Sequence, residues 1–226
     1  MLTKLQLIAL LQMQDELNSK INPHWLMAGY DFRLAAEVEL SEALDWCGWE
    51  WWKKVVPSVQ DIKMEYIDAL HFLLSSMLVT HVGKIDNVAA SVNCNIMPSK
   101  EQVNNEVRVW RIKNVKRYLL TDMRSEEVLE NLLQLCYSEG MSNTDIINMY
   151  VAKNILNQFR KKNGYKEGTY IKMWFGEEDN ITVLKLLSGL TKEETALFET
   201  NRNAFIALVC TSISNKYEEV KNAQVK

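Results

Sequence analysis

Two acidic pairs at helical spacing, Glu39-x-x-Glu42 and Glu65-x-x-Asp68, stand in segments that are otherwise apolar. A helix advances about 100° per residue, so residues three apart share a face and each pair would aim two carboxylates the same way. Like charges so placed repel. A single acidic pair is usually a solvated face. Two of them on neighbouring helices, however, would gather four carboxylates into a cluster that only bound cations make tolerable. Carboxylate oxygens are hard ligands that select magnesium, manganese or calcium over thiophilic metals. His71 follows Asp68 by one helical step, but a di-iron site of the bundle type needs Glu-x-x-His on two helices, and the first acidic segment has no histidine. A packed histidine is the plainer reading. Asp45 lies within reach of Glu42 as a supporting group, whereas Glu37 points elsewhere and reads as an ordinary solvated acid.

A second constellation has the opposite sign. Lys153, Asn157 and Arg160 in YVAKNILNQFR stand at i, i+4 and i+7, which a helix gathers within about 60°. Two cations and an amide in one row supply donors for phosphate oxygens, the guanidinium in a forked manner, although a solvated polar face has the same pattern. The block GYKEGTYIKMWFGEEDN (164–180) has no helical period and sets Lys166 and Lys172 among aromatic residues, as a loop rich in chemistry. Acidic helices and a basic row together point to a metal-bridged polyphosphate, hence phosphoryl or nucleotidyl transfer. Trp46, Trp49, Trp51 and Trp52 crowd into WCGWEWWKK, four of the seven tryptophans, a density that serves base stacking or the packing of a core or dimer interface. Gln14 and Asn18, at i and i+4, offer donors and acceptors able to read the edge of a base, or are plain surface amides.

These groups require a helical scaffold, and the sequence supplies one. Only three prolines and eight glycines punctuate 226 residues, and apolar residues recur at helical spacing. The pattern predicts an all-α protein with helices over Leu2–Ser19 (stripe Leu5, Ile8, Leu11 beside Leu10, Met13, Leu17), Phe32–Lys54, Val59–Val82, Lys100–Leu120, Ser125–Tyr137 and Asn143–Lys162. The Val59–Val82 helix is apolar almost all round and should be the core element. An irregular stretch is expected at Val92–Pro98. A capping box at Thr191-Lys-Glu-Glu194 should open a C-terminal helical segment reaching Tyr217. One domain over 1–226 is expected, its motifs within 1–180 and a helical tail over 181–226. A net charge of −3 is too weak to argue for nucleic acid or an anionic membrane as partner. No apolar run approaches the ~20 residues that span a bilayer. Four scattered cysteines without a Cys-x-x-Cys pair read as reduced thiols, and a cytoplasmic location is expected.

Taken in order, MQDELN (13–18), ELSEALD (39–45) with WEWWKK, EYIDALHF (65–72) and YVAKNILNQFRKKNGYKEGTYIKMWFGEEDN (150–180) resemble the motifs of the dimeric, all-α deoxyuridine triphosphatases of bacteria, phages and trypanosomatids, within the all-α nucleotide pyrophosphatases. The resemblance implies a helical bundle that works as a homodimer and hydrolyses dUTP, and dUDP as well, to dUMP. It implies Mg2+, with Mn2+ as the alternative, held by Glu39, Glu42, Glu65 and Asp68, and Glu39 as the catalytic, water-activating carboxylate. Lys153, Asn157 and Arg160, with Lys53, Lys172 and Asn180, correspond to phosphate-binding positions. Gln14 and Asn18 correspond to the uracil-reading amides, and Trp52 and His71 to walls of the base pocket. Glu50 departs from the pattern, since a basic residue often stands there in relatives. Beyond about residue 180 no motif matches. Two other readings stay open at this point: a pyrophosphatase of another nucleotide such as dCTP, and a non-catalytic helical binding protein that regulates a repressor. If the chain is phage-encoded, a regulatory protein partner is a further expectation.

Overall fold

The structure, a computed structural model, describes residues 2–94 and 103–224. The expected irregular stretch beyond Cys94 and the expected helix start at Lys100 lie outside the described residues. Among these there are ten α-helices and one two-stranded hairpin, so the all-α expectation is met. The chain divides into two compact units, Met1–Ile146 and Ile147–Lys226. None of the described helices is long and apolar enough to cross a membrane.

The first unit is built around α3 (Val59–Thr80), whose Ile62, Ile67, Leu70, Leu73, Leu74 and Met77 are all fully buried. An N-cap hydroxyl, Ser58 Oγ, accepts the Asp61 N–H and starts the helix directly after Pro57. Packed against α3 are α1 (Lys4–Ile21), α2 (Phe32–Trp46), the short α4 (Ile85–Ser91) and α6 (Ser125–Ser138), with α5 (Asn105–Leu119) lying on α2 and α6. In α1 the buried stripe is Leu7, Leu10, Leu11, Met13 and Leu17, joined by Gln14 and Asn18. The expected Leu5 is instead 79% exposed. The row that faces α3 passes through Leu7, because it must continue through Gln14 and Asn18 rather than through the apolar residues alone.

Helix α2 ends at Trp46, short of the expected Lys54. Gly48 adopts φ +63°, and a Cβ there would stand 3.0 Å from the Val55 carbonyl oxygen, so the chain turns back where only glycine fits. The tryptophan-rich run thereby becomes a loop instead of a helical face. Arg33, near the start of α2, closes the joint to α5 and α6. Its Nε donates to Leu119 O (3.0 Å), its Nη1 to Met123 O (3.0 Å) and Ser125 Oγ (3.1 Å), and its Nη2 to Tyr118 O (2.7 Å) and Thr121 O (3.0 Å). One guanidinium thus meets two carbonyls at the α5 C-terminus, Tyr118 and Leu119, and two of the turn that follows, Thr121 and Met123.

In the second unit, most of α7 (Asn143–Lys162) is joined by α8 (Asp179–Ser188), α9 (Lys192–Thr200) and α10 (Arg202–Gln224). The block expected to be an irregular loop contains a hairpin, β1 (Met173–Trp174) paired antiparallel with β2 (Glu177–Glu178). Its turn, Phe175-Gly176, has φ +52° and +87°, the two positive values that a tight two-residue hairpin turn demands. Trp174 is fully buried and donates its indole N–H to Ile171 O at 2.8 Å. Phe159 of α7, Tyr170 of the loop and Tyr217 of α10 form a ring cluster with centroid separations of 5.1 to 6.4 Å. The expected C-terminal segment begins at its capping box but is two helices, broken at Asn201.

Candidate active site

The acidic pairs meet on the interface of α2 and α3. Glu39, Glu42 and Glu65 each bring a carboxylate oxygen within 4.8 Å of the other two. Glu39 and Glu65 are half-buried and Glu42 is exposed, so the trio opens to solvent with its base between two packed helices. Asp68, one turn beyond Glu65 on α3, is half-buried and stands outside that trio. The indole N–H of Trp46 donates to Glu65 Oε1 at 3.2 Å and fixes one side of that carboxylate. Three convergent carboxylates form an oxygen-only donor set, suited to a hard divalent cation and poor for zinc or iron. Glu37 does point away from the trio, as its spacing requires. It is not solvated, however: Lys116 of α5 pairs with it at 3.1 Å, leaving its side chain 17% exposed.

Further along α3 a second polar group is sealed in the core. Gln14 and Asn18 of α1 meet His71 and Ser75 of α3, all four buried. Gln14 Nε2 donates to Asn18 Oδ1 (3.1 Å) and to Ser75 Oγ (2.9 Å), and Asn18 Nδ2 donates to Ser75 Oγ (2.9 Å). Gln14 Oε1 lies 2.8 Å from His71 Nδ1. The amides expected to read a base therefore belong to a built network and are not surface amides. Sequence reasoning missed Ser75, because a serine inside an apolar helix gives no signal of its own. Glu65, Asp68, His71 and Ser75 fall on one side of α3, and ten residues at ~1.5 Å rise separate the first from the last by roughly 15 Å.

The loop after α2 carries the remaining first-unit candidates. Trp52 is 56% exposed and meets Trp49 and Trp51 edge to face, at centroid separations of 5.7 and 5.4 Å. Lys53 Nζ pairs with Glu50 at 2.6 Å, and that bond holds the Lys53 ammonium above its ordinary pKa. The residue that departs from the family pattern thus engages the very cation expected to bind phosphate.

In the second unit, Lys153, Asn157 and Arg160 share a half-buried face of α7. Arg160 is committed to a carboxylate: Nε donates to Asp179 Oδ2 at 2.7 Å and Nη2 to Asp179 Oδ1 at 2.6 Å, with a third bond from Nη2 to Asn180 Oδ1 at 3.0 Å. Asp179 is fully buried and also accepts the Tyr170 hydroxyl at 2.7 Å. Burial works to lower the Arg160 pKa, and the bonds to Asp179 override it and hold the guanidinium charged. Burial and the Asp179 bond push the Tyr170 phenol well up, so it stays a donor. Lys172 makes an exposed pair with Glu178 at 3.1 Å.

The family model for dUTPase matches residues 6–165, which takes in the α1 amides, both acidic pairs, the tryptophan-rich loop and the α7 row. No curated protein matches the chain. Enzymes of this kind generally use a divalent metal, and the carboxylate trio is a candidate place for one. With the matched region covering well over half of an all-α chain and containing that trio, the chain belongs to the all-α dUTPase family, whose activity is the hydrolysis of dUTP as a dUTP diphosphatase.

Proposed function

We propose that the chain hydrolyses dUTP, and dUDP as well, to dUMP in a magnesium-dependent reaction centred on α2 and α3. The observation that carries this reading is the convergence of Glu39, Glu42 and Glu65 within 4.8 Å, three negative groups held together by helix packing. Their donor set fits Mg2+, with Mn2+ as the alternative, and Asp68 is the fourth candidate ligand. Such a cation, when bound, neutralises phosphate oxygens and makes a coordinated water more acidic. Glu39 is assigned to take the proton of the attacking water, which then forms the new bond to phosphorus as the bond to the leaving phosphate oxygen breaks. Lys153, Asn157, Arg160, Lys53, Lys172 and Asn180 are assigned to phosphate oxygens on the strength of the family motifs. The buried amides Gln14 and Asn18, with His71 and Trp52, are assigned to the base. The α1 amides set against His71 and Ser75, with the carboxylates nearer the start of α3, suit a substrate with a neutral, hydrogen-bonding base at one end and a polyanion at the other. We further propose that 1–226 acts as one catalytic domain, that the enzyme is a cytoplasmic homodimer, and that neither nucleic acid nor membrane is a partner.

The test is phosphate and pyrophosphate release from a panel of deoxynucleotides, with magnesium and with chelator. Turnover of dUTP and dUDP that chelator abolishes is expected. Faster turnover of dCTP would overturn the uracil assignment. Glu39→Gln should lower kcat by at least ~10²-fold, the scale of a lost general base. Glu37→Gln should leave kcat within about twofold. Equal activity in both variants would place the chemistry elsewhere.

A further inference from the structure

The buried network between α1 and α3 has a definite polarity, and one residue sets it. The Ser75 hydroxyl donates its only proton to His71 O at 3.0 Å. Its lone pairs can then face only donors, which are the amide nitrogens of Gln14 and Asn18, each at 2.9 Å. With Nε2 turned toward Ser75, the Gln14 amide must present Oε1 to His71 Nδ1, 2.8 Å away. That nitrogen must therefore carry a proton, and whenever the ring is neutral its lone pair lies on Nε2. Every sign in the chain follows from the direction of one hydroxyl.

Uracil and cytosine have the same shape and differ in the sign of two adjacent positions. Uracil offers N3–H and the O4 acceptor, whereas cytosine offers the N3 lone pair and an N4 amino donor. A reader with fixed polarity rejects the wrong sign strongly, since a buried polar group would be left facing a like partner. We propose that Ser75 is the positioning residue that fixes the donor and acceptor pattern of the base reader and so discriminates uracil from cytosine without touching the substrate. The proposal rests on the assignment of Gln14, Asn18 and His71 to the base.

Two measurements test it. In the wild-type protein near pH 8, long-range proton–nitrogen correlation spectra of the three histidines should give His71 as the Nδ1–H tautomer; the Nε2–H form would overturn the proposal. Steady-state kinetics on dUTP and dCTP should then show that Ser75→Ala lowers the dUTP to dCTP ratio of kcat/KM by about tenfold. The change should arise mainly in KM for dUTP, with kcat within about twofold, and Ser75→Thr, which keeps the hydroxyl, should restore the ratio. An equal loss on both nucleotides, with the ratio unchanged, would reduce Ser75 to a packing role and overturn the proposal. If Gln14→Ala and Asn18→Ala lower the ratio while Ser75→Ala does not, the proposal fails and the base assignment stands. If neither amide variant changes the dUTP KM or the ratio, the base assignment itself fails, and the proposal with it.

Discussion

Replacing Glu65 by glutamine is expected to stabilise the metal-free protein and to weaken its response to magnesium. The three carboxylates of the trio place oxygens within 4.8 Å of one another. Two unit charges at that separation repel by about 3.5 kcal/mol at an effective dielectric constant of ~20, and by about 0.9 kcal/mol in water. Glu42 is exposed, Glu39 and Glu65 are only half-buried, and each charge is spread over two oxygens. The lower end therefore applies, about 1 kcal/mol per pair. Glu65 belongs to two of the three pairs. Its neutral isostere retains an oxygen that can accept the Trp46 N–H, so the hydrogen bond of 3.2 Å need not be lost. The net gain without metal is about 2 kcal/mol, or ~4–8 °C in Tm for a domain of this size. Magnesium should narrow the variant's lead to about 0.6 kcal/mol, because a tenfold weaker Kd removes about 1.4 kcal/mol of ligand stabilisation near saturation. Thermal unfolding followed by far-ultraviolet circular dichroism, in chelator and in excess magnesium chloride, reads both effects. A Glu65→Gln protein that melts below wild type in chelator, or that gains as much from magnesium as wild type does, would refute the reasoning.

Two further outcomes concern the frame that holds α2 and α3. Arg33→Met removes a donor from four backbone carbonyls and one hydroxyl and should destabilise the protein by about 2–4 kcal/mol in urea denaturation, while Arg33→Lys should recover only part, since an ammonium cannot reproduce the fork; full recovery would show that charge alone suffices. Burial works to raise the Glu126 pKa, but hydrogen bonds from His81, its own backbone and Ser91 bring it below the ordinary 4.5. A depressed folded pKa contributes stability that is complete above the unfolded value and lost as pH falls through the folded one. The stability difference between wild type and Glu126→Gln should therefore shrink as pH falls through the carboxylate range, as read from urea midpoints at stepped pH. A difference that persists unchanged under acid would remove the ionised carboxylate from the account.

What was legible in the sequence was whatever helical periodicity encodes. Glu39, Glu42 and Glu65 were readable because their spacing fixes a face, and α3 because it is apolar on every side. The same spacing sets Glu37 apart from the trio, yet its partner Lys116 sits on α5, and no local pattern announces a contact across helices. The end of α2 is not legible locally, because Trp49, Trp51 and Trp52 continue an apolar rhythm while the deciding fact is the approach of Val55 to Gly48, a tertiary contact. Leu5 has the character of a core residue but not the position, because apolar character alone does not mark the buried stripe. The residues that complete that stripe are Gln14 and Asn18, whose burial is stabilised only by partners on α3.

The same limit applies to the basic row of α7, and it changes what that row can offer an anion. Spacing gives Lys153, Asn157 and Arg160 a common face but says nothing of what already occupies their donors. Within the second unit the Arg160 fork closes on Asp179, a fully buried carboxylate that Tyr170 also caps, and Asn180 takes a further bond from the same guanidinium. Breaking such a pair leaves a buried charge uncompensated, a loss of about 3–5 kcal/mol that a phosphate contact would have to offset. On the proposed phosphate assignment, Nη1 is the Arg160 nitrogen that would approach an anion while Nε and Nη2 keep their bonds to Asp179 and Asn180. In that state its main work is to fasten the hairpin loop that carries Lys172 to the helix that carries Lys153. Lys172, tied to Glu178 only by an exposed pair of a kind worth less than about 1 kcal/mol, is the more easily redirected cation. Under the proposed function, Arg160 shapes the loop while Lys172 is the cation more readily offered to an anion, a division that the order of residues along α7 does not encode.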